Sequence, residues 1–401
     1  MAKKYRRIVS KKYQIPLLAF FVITLAVLVL KVGSPNLFSS SAWWNPRDRF
    51  SRSYFSNRRE SGDRALPSAS ANPTASTNPT VISSPTVNPT TQPVQNTLPV
   101  SFGFSRYNDS FNVDGWGRFS STIYYPENSS YKPYPLVILS PGFMANKDMY
   151  TWFGSQIANS GYVVLIFSPP NTFSPNNDQR IGGFREGINY VSSKNADPSS
   201  PFYNLVDMNK IVTAGHSAGA MANFVATTRD SRIKGAVFFS PICRVEDLES
   251  SAVGKNLQNI TDSTSFAGVV DSAQKIRVSV QMFAGSKDTI APPSAALYCY
   301  SLINGTAKEY IEIKGGDHVG FISEQYANLA EKLGLLINIP STQIRTGDIS
   351  ATEQQRITTL YLISWLNYYL KGNTPSFDQI YGAAASAGLT NGNLSNFLFS
   401  K

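Results

Sequence analysis

Histidine and cysteine are scarce in this sequence, with two residues of each among 401. Two cysteines, Cys243 and Cys299, are too few for a disulfide-rich scaffold or a cysteine-based zinc site, and we predict no metal centre. In an oxidising compartment the two thiols can form one structural disulfide, while two unpaired buried thiols are an equal alternative. The shortage of histidine leaves His216 and His318 as the only imidazoles for catalysis.

An excess of charge is absent from most of the chain, although the net charge is +10. Residues 1–66 carry 13 Lys or Arg against 3 Asp or Glu, residues 67–100 carry no charge, and residues 101–401 carry 23 of each sign. A nucleic-acid-binding domain should itself hold the positive surface that neutralises phosphates. Residues 101–401, the part long enough to form a folded domain, carry equal numbers of positive and negative charges. We therefore predict no nucleic-acid partner.

A hydrophobic run from Ile15 to Leu30 follows six Lys or Arg among the first twelve residues. Sixteen residues are few for a membrane span and many for the apolar core of a signal peptide. We predict a signal anchor over residues 15–32, with residues 1–14 in the cytoplasm and the rest outside by the positive-inside tendency. The alternative is a cleaved signal peptide and a secreted protein, for which Ser40-Ser41-Ala42 is a distant cleavage pattern.

Residues 33–100 are predicted to be a linker. They are basic at first, and from Pro67 to Pro99 they consist largely of Ser, Thr, Asn and Pro, with Asn-Pro-Thr beginning at residues 72, 78 and 88. Such a segment cannot bury enough apolar surface to offset the entropy of ordering. We therefore predict a disordered linker, stiffened by proline, that holds residues 101–401 away from the membrane.

Strand and helix patterns alternate through residues 101–401. The runs typical of strands are Phe119–Tyr125, Leu136–Leu139, Val163–Phe167, Ile211–Ala214, Ala236–Phe239, Val278–Ala284 and Glu309–Ile313. The patterns typical of helices are Met149–Ser160, Gln179–Ser192, Ala218–Arg229, Pro292–Ile303, Glu324–Leu335 and a last helix with a capping box at Ser350 and Glu353 and a stop at Gly372. This alternation predicts one α/β domain with a mainly parallel sheet flanked by helices.

The string Gly215-His216-Ser217-Ala218-Gly219 lies between a β-branched apolar strand and a helix. A serine hydroxyl becomes a nucleophile when a base removes its proton and the backbone presents it at a sharp turn. Glycines at the first and last positions let strand and helix approach closely, as in a nucleophile elbow. We therefore predict Ser217 as the catalytic nucleophile.

His318 is predicted to be the general base by elimination. His216 adjoins the nucleophile, and a residue in that position cannot turn back to accept the serine proton. His318 follows the strand pattern Glu309–Ile313 in a loop at the carboxyl end of the sheet, where ligands bind in open α/β folds.

The carboxylate that orients the base should lie between nucleophile and base in chain order, after a strand. Asp288 meets both conditions, because it closely follows an apolar strand. Asp317 adjoins the predicted base, which usually turns two side chains apart, and Asp262 and Asp271 lie in a polar connection with few strand patterns. We therefore predict Asp288 as the third member of the triad.

Hydrolysis of an ester or amide also needs N–H donors for the developing oxyanion. The backbone N–H of Ala218, directly after the nucleophile, is the first predicted donor. The second is expected from the loop after an early strand, Ser140-Pro141-Gly142-Phe143, where we predict the N–H of Phe143. An ordinary Pro-Gly turn is the alternative for this loop.

Residues 101 to about 337 resemble the bacterial polyester hydrolases, or cutinase-like PET hydrolases, and their dienelactone-hydrolase-like relatives. The resemblance rests on ordered motifs: LSPGF at 139–143, GHSAG at 215–219, Ser240-Pro241, GSKDTIAPP at 285–293 and GGDHVGF at 315–321.

This resemblance implies an α/β-hydrolase fold and hydrolysis of carboxylic esters without a cofactor. It also implies the triad Ser217, Asp288 and His318, with oxyanion donation from Phe143 and Ala218.

Three features depart from the family pattern. Ile242 stands where polyester hydrolases carry a tryptophan that stacks on aromatic rings, and Ala218 stands where they commonly carry methionine. We assign Ile242 and His216 to the predicted substrate pocket and leave the natural ester open. The partly apolar segment 319–349, between the base and the last helix, either covers part of the pocket or packs as an amphipathic helix beside the sheet.

The leading hypothesis is a carboxylic ester hydrolase with a monomeric catalytic domain, acting outside the cytoplasmic membrane through an acyl-enzyme on Ser217. A serine peptidase or acyltransferase with the same triad is the first alternative, because acyl-enzyme chemistry does not reveal the leaving group or the acceptor. A catalytically silent surface binding module is the second, and the presence of all three triad residue types argues against it.

Overall fold

The computed structural model describes residues 101–174, 176–249, 266, 268–328 and 344–401. They belong to a compact unit of residues 98–401. The predicted leader 1–14, membrane segment 15–32 and linker 33–100 lie outside the described residues, as do Asp262 and the end of the predicted helix Glu324–Leu335. Across the described ranges, no helix combines the length and apolarity needed to cross a membrane.

A nine-stranded sheet forms the centre of this unit, in the spatial order β1-β2-β4-β3-β5-β6-β7-β8-β9. The strands are β1 (Phe104–Val113), β2 (Gly117–Pro126), β3 (Tyr134–Ser140), β4 (Val163–Ser168), β5 (Val206–His216), β6 (Ile233–Phe239), β7 (Ser279–Gly285), β8 (Lys308–Ile313) and β9 (Leu394–Ser400). All pairs from β4 to β8 are parallel, whereas β1, β2 and β9 complete the two edges in antiparallel pairing. The predicted mainly parallel sheet is confirmed.

The apolar sequences of the central strands explain why both faces of the sheet are covered by other elements in the middle. Every residue of β3 and of β4 is buried, so both faces of these strands pack against other elements. Because β3, β5, β6, β7 and β8 run in one direction, the loops that follow them emerge at the same edge of the sheet. Those loops carry Gly142, Ser217, Ser240, Asp288 and His318.

Helices cover both faces of the sheet. They are α1 (Thr151–Asn159), α2 (Asp178–Ala196), α3 (Ala218–Arg229), α4 (Val245–Glu249), α5 (Val269–Lys275), α6 (Pro293–Leu302), α7 (Ala351–Lys371), α8 (Phe377–Tyr381) and α9 (Ala383–Thr390). Helices α2 and α3 bury Phe184 and Phe224 on one face. Helices α1 and α7 bury Phe153 and Trp365 on the other. Short 3₁₀ turns precede α1 at Lys147–Tyr150 and follow the β8 loop at Val319–Phe321.

The best-marked helix of the sequence has its predicted ends. The hydroxyl of Ser350 accepts the N–H of Glu353 at 3.1 Å, which caps α7 at its start. Gly372 ends the helix with φ 66°, a left-handed conformation that favours glycine. The strands β1 and β9 and the helices α4, α5, α8 and α9 were not predicted from the sequence.

Candidate active site

The turn between β5 and α3 holds Ser217 with φ 54° and ψ −119°. Positive φ is uncommon for a residue with a Cβ, and a sharp strand-to-helix turn imposes it on nucleophilic serines. The turn requires glycine on both sides. A Cβ at Gly215 would lie 2.2 Å from Gly219 O, and a Cβ at Gly219 would lie 2.2 Å from Ser140 O. The predicted elbow is therefore a tight turn, and Ser217 is half-buried within it.

Backbone hydrogen bonds fasten this turn to its neighbours. The N–H of Ser217 donates to Phe239 O at 3.0 Å, which joins the turn to the end of β6. The carbonyl of Ser217 accepts the N–H groups of Ala220 and Met221, at 2.9 and 3.0 Å, in the first turn of α3. The serine hydroxyl is thus carried by backbone that is fixed on both sides.

Asp288 and His318 form a buried pair at this edge of the sheet. Nδ1 of His318 lies 2.9 Å from Oδ2 of Asp288, and the two residues are 7% and 4% exposed. The second carboxylate oxygen of Asp288 accepts the N–H groups of Ile290 at 2.9 Å and Ala291 at 2.8 Å. Because Nδ1 is engaged by a carboxylate, Nε2 is the ring nitrogen left to exchange a proton.

Ser240 is part of this network, although no role for it was predicted from the sequence. Its hydroxyl donates to Asp288 Oδ2 at 2.7 Å, and its N–H donates to Phe283 O at 2.8 Å. Its φ of 45° turns the chain directly after β6. The only sequence signal was the pair Ser240-Pro241, whose contact with Asp288 joins two loops 48 residues apart.

Asp317 adjoins His318, yet its carboxylate is occupied by backbone donors. It accepts the N–H of Gly320 at 2.7 Å and those of residues 346 and 347 at 3.0 Å each. Burial raises the pKa of Asp317, and these backbone donors oppose the rise. Asp271, another candidate considered from the sequence, is exposed and forms an ion pair on α5. Neither carboxylate contacts the His318 ring as Asp288 does.

His216 connects the elbow to the His318 loop. The centroid of its ring lies 4.7 Å from that of His318 and 5.8 Å from that of Phe321. Its Nδ1 lies 2.8 Å from the hydroxyl of Tyr150. Burial, and after it the charge that His318 carries when protonated, lowers the pKa of His216 well below its ordinary value. His216 is therefore a neutral ring packed against His318.

The loop after β3 lies directly against the elbow. A Cβ at Gly142 would lie 3.2 Å from Cβ of Ser217. Within the described residues no hydrogen bond occupies the N–H of Phe143. Ala218 is the first residue of α3, so its N–H has no acceptor within that helix. These two N–H groups are the ones predicted from the sequence as donors of an oxyanion hole.

Residues 84–257 match a family model described as PETase, PET hydrolase-like. Cutinase 2 of Thermobifida cellulosilytica is 26% identical over 210 residues, which cover 52% of this chain and 68% of that protein. Over these stretches the chain is similar to the polyester hydrolases. Cutinase cut1 of Thermobifida fusca is 26% identical over 210 residues, 52% of this chain and 56% of its own. Bis(hydroxyethyl) terephthalate hydrolase of Streptomyces coelicolor is 26% identical over 132 residues, 33% of this chain and 40% of its own.

These comparisons confirm the predicted resemblance, and they support the predicted class, an esterase. The stretch matched by the family model contains the elbow and the loop of Phe143, whereas Asp288 and His318 follow its end at residue 257. The chain spans 56% of the length of cutinase cut1 and 68% of that of cutinase 2.

Both residues predicted to line a substrate pocket are buried. His216 and Ile242 are each 4% exposed. Ile242 packs with Leu248, Ala291 and Ala295 in a small apolar cluster. Since Ala291 donates its N–H to Asp288, Ile242 packs against the loop that carries Asp288.

A disulfide joins Cys243, in the loop after β6, to Cys299 on α6. Cys243 stands three residues after Ser240, and α6 follows the loop of Asp288. The bond therefore ties together the two segments that meet at the Ser240–Asp288 hydrogen bond. The sequence had left this pairing and two free thiols as equal alternatives.

The described parts of the segment 319–349 pack beside the sheet. Phe321 and Ile322 are buried in the core that α1 and α7 share. The indole N–H of Trp152 donates to Phe321 O at 2.9 Å, and Gln355 of α7 donates to Gly320 O at 3.2 Å and Ile322 O at 2.7 Å. These contacts anchor the chain directly after His318.

Proposed function

We propose that the chain is a carboxylic ester hydrolase in which Ser217, His318 and Asp288 act as nucleophile, general base and orienting acid. The observation that carries the proposal is the 2.9 Å contact between His318 Nδ1 and Asp288 Oδ2, at the sheet edge that also bears the turn of Ser217. A histidine held through Nδ1 presents Nε2 for proton exchange. The matched relatives named cutinases support the same class of reaction.

Acylation would begin when Nε2 of His318 removes the hydroxyl proton of Ser217 as the serine oxygen attacks the ester carbonyl carbon. Asp288 stabilises the imidazolium that forms. The tetrahedral oxyanion accepts hydrogen bonds from the N–H groups of Phe143 and Ala218, and loss of one such donor typically lowers kcat by about 10²- to 10³-fold. The ester C–O bond then breaks, and His318 donates its proton to the leaving alkoxide.

Deacylation repeats the same sequence with water. His318 removes a proton from the water as its oxygen attacks the acyl carbon of the Ser217 ester. The second tetrahedral intermediate uses the same two N–H groups. Its collapse releases the carboxylic acid and returns the proton to Ser217, so none of the proposed steps uses a cofactor.

We propose carboxylic esters, including ester-linked polymers, as the substrate class. Support comes from relatives whose names are cutinase and bis(hydroxyethyl) terephthalate hydrolase. The position of the stacking tryptophan is taken by Ile242, which is buried against the Asp288 loop. The proposal therefore names esters as a class and no aromatic polymer in particular.

We further propose that residues 15–32 are a signal anchor or signal peptide, that residues 33–100 are a linker, and that residues 101–401 act as a monomer outside the cytoplasmic membrane. The basic residues before Ile15 support this orientation, and the Cys243–Cys299 disulfide fits an oxidising compartment. Protease added to intact cells that express the full chain should then remove residues 101–401. Protection of that domain until the membrane is lysed would contradict the proposal.

Steady-state hydrolysis by the full chain tests the ester proposal. We expect p-nitrophenyl acetate and butyrate to be cleaved faster than p-nitroanilides of the same acids. Ser217→Ala should reduce turnover to background, and Ser301→Ala, at an exposed serine on α6, should leave it unchanged. Faster cleavage of the anilides would favour a peptidase, and acyl transfer to an added alcohol that exceeds hydrolysis would favour an acyltransferase. A folded chain inert toward all of them would favour the binding module.

A further inference from the structure

A buried guanidinium holds the loop that carries the proposed oxyanion donor. Arg180 on α2 has no exposed surface. Its Nη2 donates to Gly142 O at 3.4 Å and to Thr172 O at 3.2 Å, and its Nη1 donates to Ser174 O at 3.2 Å. Burial lowers the pKa of Arg180 to about 10, so the group is still protonated at neutral pH. One cation thus binds the backbone of two loops.

The contact with Gly142 O determines where the next N–H points. Gly142 O and Phe143 N–H belong to the same peptide group, and in a planar trans peptide the C=O and N–H point in opposite directions. Gly142 O accepts from Arg180 and from the N–H of Ala145 at 3.3 Å. With the carbonyl held on that side, the N–H of Phe143 is held on the other. A flipped peptide would remove this donor and break both bonds.

The other side of Gly142 is held by a tyrosine. The N–H of Gly142 donates to the hydroxyl of Tyr150 at 3.2 Å, and that hydroxyl lies 2.8 Å from Nδ1 of His216. Burial raises the pKa of Tyr150, so the hydroxyl keeps its proton. Because His216 is neutral, the tyrosine can donate to its Nδ1 while accepting from Gly142. The glycine is therefore fixed at its amide by Tyr150 and at its carbonyl by Arg180.

We propose that Arg180 and Tyr150 are positioning residues of the oxyanion hole, which hold the Gly142–Phe143 peptide with its N–H available beside Ser217. The proposal rests on the proposed ester hydrolysis. Neither side chain is assigned a contact with substrate; both act through Gly142. Lysine in place of Arg180 keeps the charge but cannot reach several carbonyls with a planar fork.

An ester and its matching thionoester differ in one atom. The ratio of their hydrolysis rates reports on the oxyanion hole independently of the stability of the fold. In a thionoester sulfur replaces the carbonyl oxygen, and sulfur accepts hydrogen bonds from N–H donors poorly. An intact hole therefore favours the oxygen ester over the matching thionoester. The measurement is kcat and KM for both substrates with the full chain, for the wild type, Arg180→Lys and Tyr150→Phe. The matched controls are Arg185→Lys, exposed on the same helix, and Tyr203→Phe, at an exposed tyrosine.

We expect Arg180→Lys to lower kcat for the oxygen ester by about 10- to 10³-fold, with KM within about twofold, and to lower the thionoester rate far less. Tyr150→Phe should also lower the ratio of the oxygen-ester rate to the thionoester rate, by a smaller factor than Arg180→Lys. The two control variants should leave this ratio unchanged. Thermal unfolding shows which variants fold. If Arg180→Lys does not fold, the rate ratio measured for Tyr150→Phe alone decides the proposal.

Equal losses for the two esters, or no change in either, would overturn the positioning role while leaving ester hydrolysis intact. A wild-type chain that cleaves neither substrate would instead overturn the proposed function, and this inference with it.

Discussion

Ser240 Oγ lies 2.7 Å from Asp288 Oδ2 and donates a hydrogen bond to it. Oδ2 of Asp288 also lies 2.9 Å from Nδ1 of His318. Ser240→Ala should therefore lower kcat by about tenfold with KM nearly unchanged, since a hydrogen bond to a charged group contributes about 1.5–3 kcal/mol and part of it is replaced by rearrangement. Steady-state kinetics with Ser231→Ala, an exposed serine, as the control measure this. A variant as active as the control would show that the hydroxyl does not support the carboxylate.

Asp288→Asn should be far more severe than loss of the serine. The two carboxylate oxygens accept from two backbone N–H groups, one hydroxyl and the imidazole. An amide would place its NH₂ against one of these donors, so we expect kcat to fall by about 10³- to 10⁴-fold with the fold retained. Asp271→Asn, at an exposed carboxylate on α5, is the control. Near-normal kcat in a folded Asp288→Asn variant would exclude the orienting role.

The Cys243–Cys299 disulfide should contribute measurably to stability. It links residues 56 apart in sequence, and a loop of this size limits the unfolded chain enough to stabilise the fold by about 2–4 kcal/mol. The doubly substituted Cys243→Ser, Cys299→Ser chain should unfold at lower denaturant concentration than the oxidised wild type. Reductant should shift the wild type toward the variant and leave the variant unchanged. A wild-type midpoint that ignores reductant would contradict this expectation.

Glu309 on β8 should make stability depend on pH. It is fully buried, its Oε2 accepts from Gln281 Nε2 at 2.6 Å, and burial raises its pKa well above the ordinary 4.5. Above pH 4.5 the unfolded chain loses this proton while the folded chain keeps it. The unfolded state then binds fewer protons, so stability falls as pH rises toward the folded pKa.

Glu309→Gln removes this titration and should remove its share of the pH dependence. The free energy of unfolding of the wild type should decline relative to the variant between pH 5 and pH 8, by at most about 1.4 kcal/mol per pH unit. Chemical denaturation at each pH measures the difference, and Glu249→Gln, at an exposed carboxylate, is the control. Parallel curves for wild type and Glu309→Gln would show that the buried carboxyl does not titrate in this way.

Local sequence was enough to predict the elbow and the last helix. Gly215 is required by a contact with Gly219 O, only four residues along the chain, so the spacing of the two glycines predicts the turn. Gly219 is also required by the close approach of Ser140 O in the loop after β3, which the local sequence does not show. The cap of α7 by Ser350 is equally local. His318 and Asp288 were predicted from chain order and from the small number of histidines, and the structure brings them to 2.9 Å.

The residues that support the site could not be predicted, because their roles come from contacts distant in sequence. Arg180 meets Gly142 across 38 residues, and Ser240 meets Asp288 across 48. Neither pair follows a strand or helix period. The edge strand β9 was missed for the same reason, since Leu394–Ser400 is defined by its antiparallel pairing with β8.

Covalent labelling shows whether Ser217 is an activated nucleophile. The full chain is treated with a fluorophosphonate, which phosphonylates an activated serine, and the modified peptide is located by mass spectrometry. We expect one adduct, on the peptide that contains Ser217, no adduct in Ser217→Ala, and much slower labelling in Asp288→Asn. Equal labelling of the wild type and Ser217→Ala would contradict the assignment of Ser217 as the nucleophile.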